Sequence, residues 1–145
     1  MVMRKRETRG FVLDTCAVIN IMKNRAFADL IKSHVDVENS PVYLNEIVLE
    51  EAQRKGYSKK QIITEIQNAL NTLVTIKEVS KEVHSKAVEL EKECSLLHHG
   101  DSAIAAFSQD NHSTLITFDK ALLKGCEIIG IPAFSPNMML GGSLA

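Results

Sequence analysis

Short apolar runs alternate along the chain with longer segments whose apolar residues recur at helical spacing. The run at residues 11–13 is followed by apolar residues three to four positions apart, and this change of period predicts a strand and then a helix. The run at residues 41–44 precedes a second such segment, which Asn45 is expected to cap and which closes at Gly56. Residues 114–118 form a third apolar run, so the pattern predicts strands at three points along the chain.

The intervening segments predict further helices. One lies between residues 23 and 40, and the small apolar residues at 102–108 suit a helix packed closely against a sheet. Ser58 and Gln61 form a capping box, and the helix after it is expected to present an apolar face made of Ile62, Ile66, Leu70 and Leu73. The next helix repeats this spacing with Val79, Val83, Leu90 and Cys94. A helical turn that ends at Gly125 and a last strand near residues 127–131 complete the predicted elements.

This order of elements predicts the fold class. Strands separated by helices require crossover connections, and these produce a parallel sheet that is covered on both faces. We therefore expect an α/β fold, a three-layer α/β/α domain with a central parallel sheet. The length of 145 residues, with 45% hydrophobic and 24% charged residues, fits a single domain. Residues 1–9 would form a basic N-terminal arm and residues 135–145 a C-terminal tail.

Composition narrows the function classes. The formal charge of -1 excludes a global positive field, so any nucleic acid has to be bound locally. Cys16, Cys94 and Cys126 lie far apart without CxxC spacing, which argues against a zinc site or a disulfide framework. No run approaches the ~18 apolar residues of a membrane span, and the first 22 residues lack a signal-peptide cleavage site. These features favour a cytoplasmic protein without a membrane partner.

Acidic residues follow two of the predicted strands. Asp14 comes directly after the first strand, and Asp119 comes directly after residues 115–118. In parallel α/β sheets the ligand site lies outside the carboxyl ends of the strands, so both side chains are expected at that edge. Asp101 follows Gly100 at the start of a helix and is expected to join them. The alternative for each aspartate is a simple helix cap.

A fourth acid is expected on the helix that follows the second predicted strand. Glu46, Glu50 and Glu51 are the candidates, and the last two point about 100° apart on a helix. Val48 and Ala52 define the core side, which places Glu51 nearer the buried face than Glu50. The alternative is that all three glutamates are solvated surface charges, as most helical glutamates are.

Carboxylates packed into one pocket repel one another, and without a counterion at least one of them takes up a proton. A divalent cation removes this conflict, and an all-oxygen donor set favours Mg²⁺ or Mn²⁺ over zinc. Such ions commonly complete their coordination shell with phosphate oxygens. The acidic cluster therefore predicts phosphoryl chemistry, in which a metal polarises the phosphate and lowers the pKa of an attacking water.

Four segments, in this order, resemble those of PIN-domain ribonucleases. They are FVLDTCAVI at residues 11–19, VLEE at 48–51, GDSAIAA at 100–106 and LITFD at 115–119. The resemblance implies a Mg²⁺- or Mn²⁺-dependent endoribonuclease that hydrolyses single-stranded RNA, with water attacking in line at phosphorus. Many members of the family are toxins of toxin–antitoxin pairs, so an antitoxin partner is implied too. A homodimer is expected because many similar proteins dimerise.

The resemblance also assigns roles to individual residues. It implies that four acids are catalytic and bind the metal: Asp14, Glu51, Asp101 and Asp119. The hydroxyl groups that would support the site belong to Thr15 and Thr117.

Basic residues near these motifs are candidates for RNA contacts. Four of them follow the acidic strand ends and are expected to contact phosphates at the edge of the site: Lys23, Arg25, Lys120 and Lys124. The basic residues before the first strand are assigned to solubility because they precede its opposite edge: Arg4, Lys5, Arg6 and Arg9. Arg54 and Lys55 lie at the far end of their helix, so no RNA contact is assigned to them.

Other functions remain open from the sequence. The nuclease could serve ribosomal RNA maturation, which the presence or absence of an adjacent antitoxin gene would decide. A catalytically silent RNA- or protein-binding module would show no stabilisation by Mn²⁺. A signalling receiver would need paired acids at the first strand, where only Asp14 is present. A haloacid-dehalogenase-like phosphatase would need an aspartate at the position of Cys16.

Overall fold

A computed structural model describes residues 10–136 of the chain. Five strands and seven helices follow one another in this range, with a 3-10 helix between α2 and β2. In chain order they are β1 (Phe11–Leu13), α1 (Thr15–Lys23), α2 (Ala26–His34), the 3-10 helix (Val37–Asn39), β2 (Val42–Asn45), α3 (Glu46–Arg54), α4 (Lys59–Leu70), β3 (Val74–Lys77), α5 (Lys81–Glu93), α6 (His99–Asp110), β4 (Thr114–Ile116), α7 (Lys120–Ile129) and β5 (Ala133–Phe134).

The strands form one parallel sheet, which confirms the predicted fold class. Their order is β3-β2-β1-β4-β5, and Val12 of the central strand is paired with Tyr43 on one side and Leu115 on the other. The chain moves outward from β1 to β3 and then returns across the sheet to β4. The direction of winding therefore reverses between β1 and β4, and in such sheets this reversal opens a crevice at the carboxyl ends of the two strands.

Helices cover the sheet on both faces. Helices α1 to α4 contact one another, and α5 packs along α6, while α7 approaches the same group because Gly125 lies against Leu97. Right-handed crossovers put the helices of the two winding directions on opposite faces. Val12 and Leu13 of β1 are completely buried between the layers. This core fixes the crevice between β1 and β4, where the acidic residues lie.

The edge strand β3 was not predicted from the sequence. Helix α4 ends at Leu70 because Asn71 takes the left-handed conformation, with φ of 55°. Leu73 is therefore outside the helix and 78% exposed, so its predicted place on the apolar face is wrong. The apolar residues of the following strand alternate with polar ones over only four positions, and the longer helical pattern before it hides this signal.

The predicted strand at residues 127–131 is also wrong. Helix α7 continues to Ile129 and ends at Gly130, whose φ of 77° favours glycine. The isoleucines at this point favour a strand locally, but the helix that Asp119 caps extends through them, and the strand forms at Ala133–Phe134 instead. Helix α5 is shorter than predicted, since Val79 precedes it and Cys94 caps its end.

Several sequence predictions lie outside the described residues. They concern the basic arm with Arg4, Lys5, Arg6 and Arg9, and most of the C-terminal tail. Between residues 10 and 136, no helix combines the length and the hydropathy that a bilayer-spanning segment needs.

Candidate active site

A cavity of about 460 Å³ opens at the carboxyl edge of the sheet. All four acids singled out in the sequence line it. The complete lining consists of Asp14, Thr15, Cys16, Glu51, Arg54, Lys55, Gly100, Asp101, Ile104 and Asp119. The fold therefore gathers side chains that are more than 100 positions apart in the sequence.

Asp14 is the most buried of the four acids, with 3% of its surface exposed. Its Oδ1 accepts a hydrogen bond from the backbone N–H of Ala17 at 2.7 Å, which caps α1, and its Oδ2 accepts one from the Thr117 hydroxyl. Burial is the main cause that raises the pKa of this carboxyl from 3.8 to about 6. The charges of Asp119 and Asp101 act in the same direction, and the two hydrogen bonds act against it. Without a counterion, Asp14 is therefore partly protonated near neutral pH.

Thr117 connects Asp14 to Asp119. It is completely buried, and its hydroxyl accepts a hydrogen bond from the Asp119 backbone N–H at 2.9 Å while donating to Asp14. Oδ1 of Asp119 accepts hydrogen bonds from the N–H groups of Ala121 (2.9 Å) and Leu122 (3.2 Å) and so caps α7. One hydroxyl group thus links the Asp14 carboxylate after β1 to the backbone of Asp119 after β4.

Asp101 reaches the cavity from the first turn of α6. The helix is capped by His98, so Asp101 is not its N-cap. Burial raises the pKa of Asp101, and the charges of Asp119 and Glu51 act in the same direction, whereas His98 lowers it. The three aspartates therefore share one electrostatic environment.

Three helix N-termini converge on these aspartates. Asp14 and Asp119 are the N-caps of α1 and α7, and Asp101 lies in the first turn of α6. The unpaired N–H groups and the positive dipole end of a helix favour negative charge by roughly 0.3–1 kcal/mol each. The helices therefore offset part of the repulsion among the carboxylates, but the pKa values of Asp14 and Asp101 are still raised, chiefly by burial.

Glu51 faces the cavity and Glu50 does not. Glu51 is partly buried, and its Oε1 accepts a hydrogen bond from the Thr15 hydroxyl, while Glu50 is exposed. A Cβ atom built on Gly100 would lie 3.9 Å from Oε2 of Glu51, so this carboxylate also approaches the start of α6. Glu46 is used elsewhere, because its Oε1 accepts a hydrogen bond from the Val79 backbone N–H at 2.9 Å.

The donor chemistry of the cavity fits a hard divalent cation. Four carboxylates supply only oxygen, which is the donor set of Mg²⁺ and Mn²⁺ and not that of zinc. Among residues 10–136, however, no three His, Cys, Asp or Glu side chains are close enough together to form a preassembled metal cage. The acids line a shared cavity and would have to approach one another to bind an ion.

The cations at the cavity are not the ones expected from the sequence. Lys23 lies at the far end of α1, because the helix runs away from the strand end that carries Asp14. Arg25 is paired with Glu65 at 3.3 Å, and Lys120 and Lys124 are exposed on α7 and do not line the cavity.

Arg54 and Lys55 line the cavity instead. Both were set aside because they lie at the far end of α3, but they follow Glu51 by three and four positions and so share its face of the helix. This spacing was the signal that could have identified them. Cys16 and Ile104 also line the cavity, and neither was predicted from the sequence to do so.

Comparison with known proteins agrees with this geometry. The family model for the PIN domain matches residues 11–127, and no curated protein sequence gives a significant match. The fold is similar to that of the VapBC2 complex of Rickettsia felis bound to a promoter DNA fragment, with a TM-score of 0.63 and 19% identity over 86% of this chain and 97% of that chain.

Two further solved structures are similar. A toxin-antitoxin complex from Klebsiella pneumoniae matches with a TM-score of 0.63 and 23% identity, over 88% of this chain and 98% of that chain. The DNA-bound VapBC of Salmonella typhimurium matches with a TM-score of 0.63 and 18% identity, again over 88% and 98%. These likenesses concern the fold, whereas the family model covers most of the sequence. The chain therefore belongs to the PIN domain family.

Proposed function

We propose that this chain is a metal-dependent endoribonuclease and the toxin of a toxin–antitoxin pair. The observation that carries the proposal is the shared cavity of Asp14, Glu51, Asp101 and Asp119 at the point where the sheet reverses its winding. PIN domains are generally nucleases. A degenerate, binding-only member would not need all four acids at one cavity, and this chain has all four there.

The four acids would hold Mg²⁺ or Mn²⁺. When bound, such an ion neutralises negative charge, polarises a phosphate and lowers the pKa of a water molecule. The cation would also restore the ionised form of Asp14, because a nearby positive charge lowers the pKa of a carboxyl. Occupation of the cavity and the protonation state of Asp14 are therefore linked in this proposal.

The remaining residues orient the acids. The Thr117 hydroxyl donates to Oδ2 of Asp14 and favours its charged form, while the N–H of Ala17 fixes the other oxygen. Thr15 donates to Glu51 and sets the direction of that side chain. Both hydroxyl groups act through the carboxylates and make these two threonines positioning residues.

Single-stranded RNA is the proposed substrate, and a small antitoxin protein the proposed partner. The structurally similar Klebsiella pneumoniae protein is part of a toxin-antitoxin complex, which supports the second assignment. A homodimer and a cytoplasmic location are further parts of the proposal. The presence of an antitoxin gene beside this one would favour the toxin role, and its absence would favour the second candidate, a PIN nuclease of ribosomal RNA maturation.

The test compares RNA cleavage by the purified wild-type chain with that of Asp14→Asn, in the presence of Mn²⁺. We expect the substitution to lower the rate at least about a thousandfold, as the loss of an essential catalytic group does, while the circular dichroism spectrum stays unchanged. Glu50→Gln is the matched control, because it removes a carboxylate from the same region outside the cavity and should leave the rate unchanged. Unchanged cleavage by Asp14→Asn would overturn the proposal.

A further inference from the structure

The acidic cavity contains two cations that none of its acids uses. Arg54 and Lys55 line the same cavity as the four carboxylates. The ion pairs found within the range 10–136 nevertheless join other groups, Arg25 to Glu65 and Lys32 to Asp29. Neither Arg54 nor Lys55 makes a side-chain hydrogen bond or ion pair in this part of the chain. Cations placed to neutralise the acids would be expected to pair with them.

The position of these cations is fixed by their helix. The buried side chains of Val48, Leu49 and Ala52 anchor α3 in the core. The flank of the helix beside this buried face borders the cavity and carries Glu51, Arg54 and Lys55. Arg54 follows Glu51 by one turn, which places it about 5 Å farther along the helix axis. The cations therefore lie beside the acids, one turn away from them.

The end of α3 keeps the two cations at this place. Lys55 caps the helix, and Gly56 takes a φ of 106°, a conformation that favours glycine. The chain turns away at this point toward α4, which starts at Lys59. Arg54 and Lys55 thus form the outermost edge of the helix at the mouth of the cavity, and we call this pair the basic rim.

We infer that the basic rim binds the phosphate of the RNA strand that flanks the scissile phosphate. This inference rests on the proposed function, since the scissile phosphate would occupy the acidic part of the cavity. A chain with a net charge of -1 has no global field that could hold RNA, so local cations are needed. An exposed arginine without a partner keeps its two-pronged donor geometry for a phosphate, and the adjacent lysine adds a point charge.

Replacing Arg54 by an uncharged residue distinguishes a role in RNA binding from a role in the chemical step. We expect Arg54→Gln to raise the KM for a short single-stranded RNA about tenfold, as hydrogen bonds to charged groups are worth roughly that factor, with kcat changed less than twofold. Lys55→Gln should raise KM about threefold, and Arg54→Lys should give an intermediate value. Lys59→Gln is the matched control, because it removes an exposed charge from the next helix outside the cavity and should leave KM unchanged.

Modified RNA tests the flanking position directly. A tetranucleotide that is cleaved at its central bond has one phosphate on each side of the scissile one. Replacing the 5′ or the 3′ flanking phosphate in turn by an uncharged methylphosphonate removes its charge. For the wild-type chain, one of the two replacements should raise KM about tenfold, whereas for Arg54→Gln the same replacement should have no further effect. Binding of the same oligonucleotides to the Asp14→Asn chain, measured by fluorescence anisotropy, provides a readout that does not depend on cleavage.

The possible results of these experiments distinguish a failure of the inference from a failure of the proposed function. A KM for Arg54→Gln equal to that of Lys59→Gln would overturn the inference while the nuclease assignment stands. A fall in kcat at constant KM would place Arg54 on the reacting phosphate and overturn the flanking assignment. Tighter Mn²⁺ binding by Arg54→Gln with unchanged RNA affinity would make Arg54 a counterion of the acids, which also overturns it. A wild-type chain that neither binds nor cleaves RNA would reject the proposed function itself.

Discussion

The acidic floor of the cavity, formed by Asp14, Asp101 and Asp119, is built differently from the basic rim. Asp14 is only 3% exposed, and its oxygens accept hydrogen bonds from Ala17 and Thr117. The rim residues are exposed and have no partner within residues 10–136. In the floor, Asp14 is thus buried and held by hydrogen bonds, whereas the rim residues are solvated and make no side-chain hydrogen bond or ion pair in that range.

This difference is what we expect if, as we propose, the two regions serve different steps of RNA cleavage. A pKa raised from 3.8 to about 6 favours the protonated form of Asp14 by roughly 3 kcal/mol, which a fold tolerates where precise placement of the charge matters. A solvated cation gives no such precision, but it can bind a phosphate without first breaking an internal contact. We therefore assign chemistry to the floor and substrate affinity to the rim.

The largest effect in this comparison should come from Glu51, which belongs to the same helix as the rim. We expect Glu51→Gln to lower RNA cleavage about a hundredfold, because it removes one negative charge from the proposed metal site. Glu50→Gln should change the rate less than twofold, since Glu50 is exposed and outside the cavity. Single-turnover cleavage assays measure both variants, and the opposite order would exchange the roles of these neighbours.

A smaller effect is expected at Thr117, which supports the floor. Its hydrogen bond lowers the pKa of Asp14, so Thr117→Val should raise that pKa and keep Asp14 protonated to higher pH. Cleavage at pH 7 should fall about tenfold, in the range found for partners of metal ligands, and the acidic limb of the pH–rate profile should move to higher pH. Thr117→Ser retains the hydroxyl and should behave like the wild type; an unshifted profile for the valine variant would argue against the linkage.

The smallest effects should occur at the cations that the sequence suggested. Lys23→Gln and Lys120→Gln remove exposed charges that do not line the cavity, and we expect KM changes of less than about twofold, typical of charges away from the contact surface. Steady-state kinetics of these two variants, measured side by side with Arg54→Gln, provide this comparison. A larger effect at Lys23 than at Arg54 would reverse our assignment of the rim.

The sequence predicted the floor better than the rim for a physical reason. Asp14 and Asp119 directly follow buried strands, and parallel strands end at the same edge of a sheet, so local pattern determines their placement. Lys23 and Lys120 follow the same strand ends, but long exposed side chains on a helix carry no comparable constraint. The direction of α1 carries Lys23 away from the site, and no local pattern around Lys23 indicates that direction.

The errors in the fold have a similar origin. The edge strand β3 has only four residues with partial burial, so its alternation is too short to compete with the helical pattern of α4. Ile128 and Ile129 have a local preference for a strand, but they lie in the helix that Asp119 caps. Elements with long periodic patterns were predicted well, and short elements at the sheet edges depend on tertiary contacts that no local pattern contains.

The central claim is that a divalent cation relieves the strain of the acidic floor, and unfolding measured against pH and Mn²⁺ tests it most directly. The pKa of Asp14 is about 6 in the folded chain and 3.8 when unperturbed. Its contribution to stability is therefore present below pH 3.8 and lost as the pH rises through about 6.

Without metal, the free energy of unfolding of Asp14→Asn should equal that of the wild type at pH 4. At pH 8 it should exceed the wild-type value by up to roughly 3 kcal/mol. Mn²⁺ should stabilise the wild type at pH 8 and have little effect on Asp14→Asn. Equal stabilisation of both chains by Mn²⁺, or no stabilisation of the wild type, would contradict this claim.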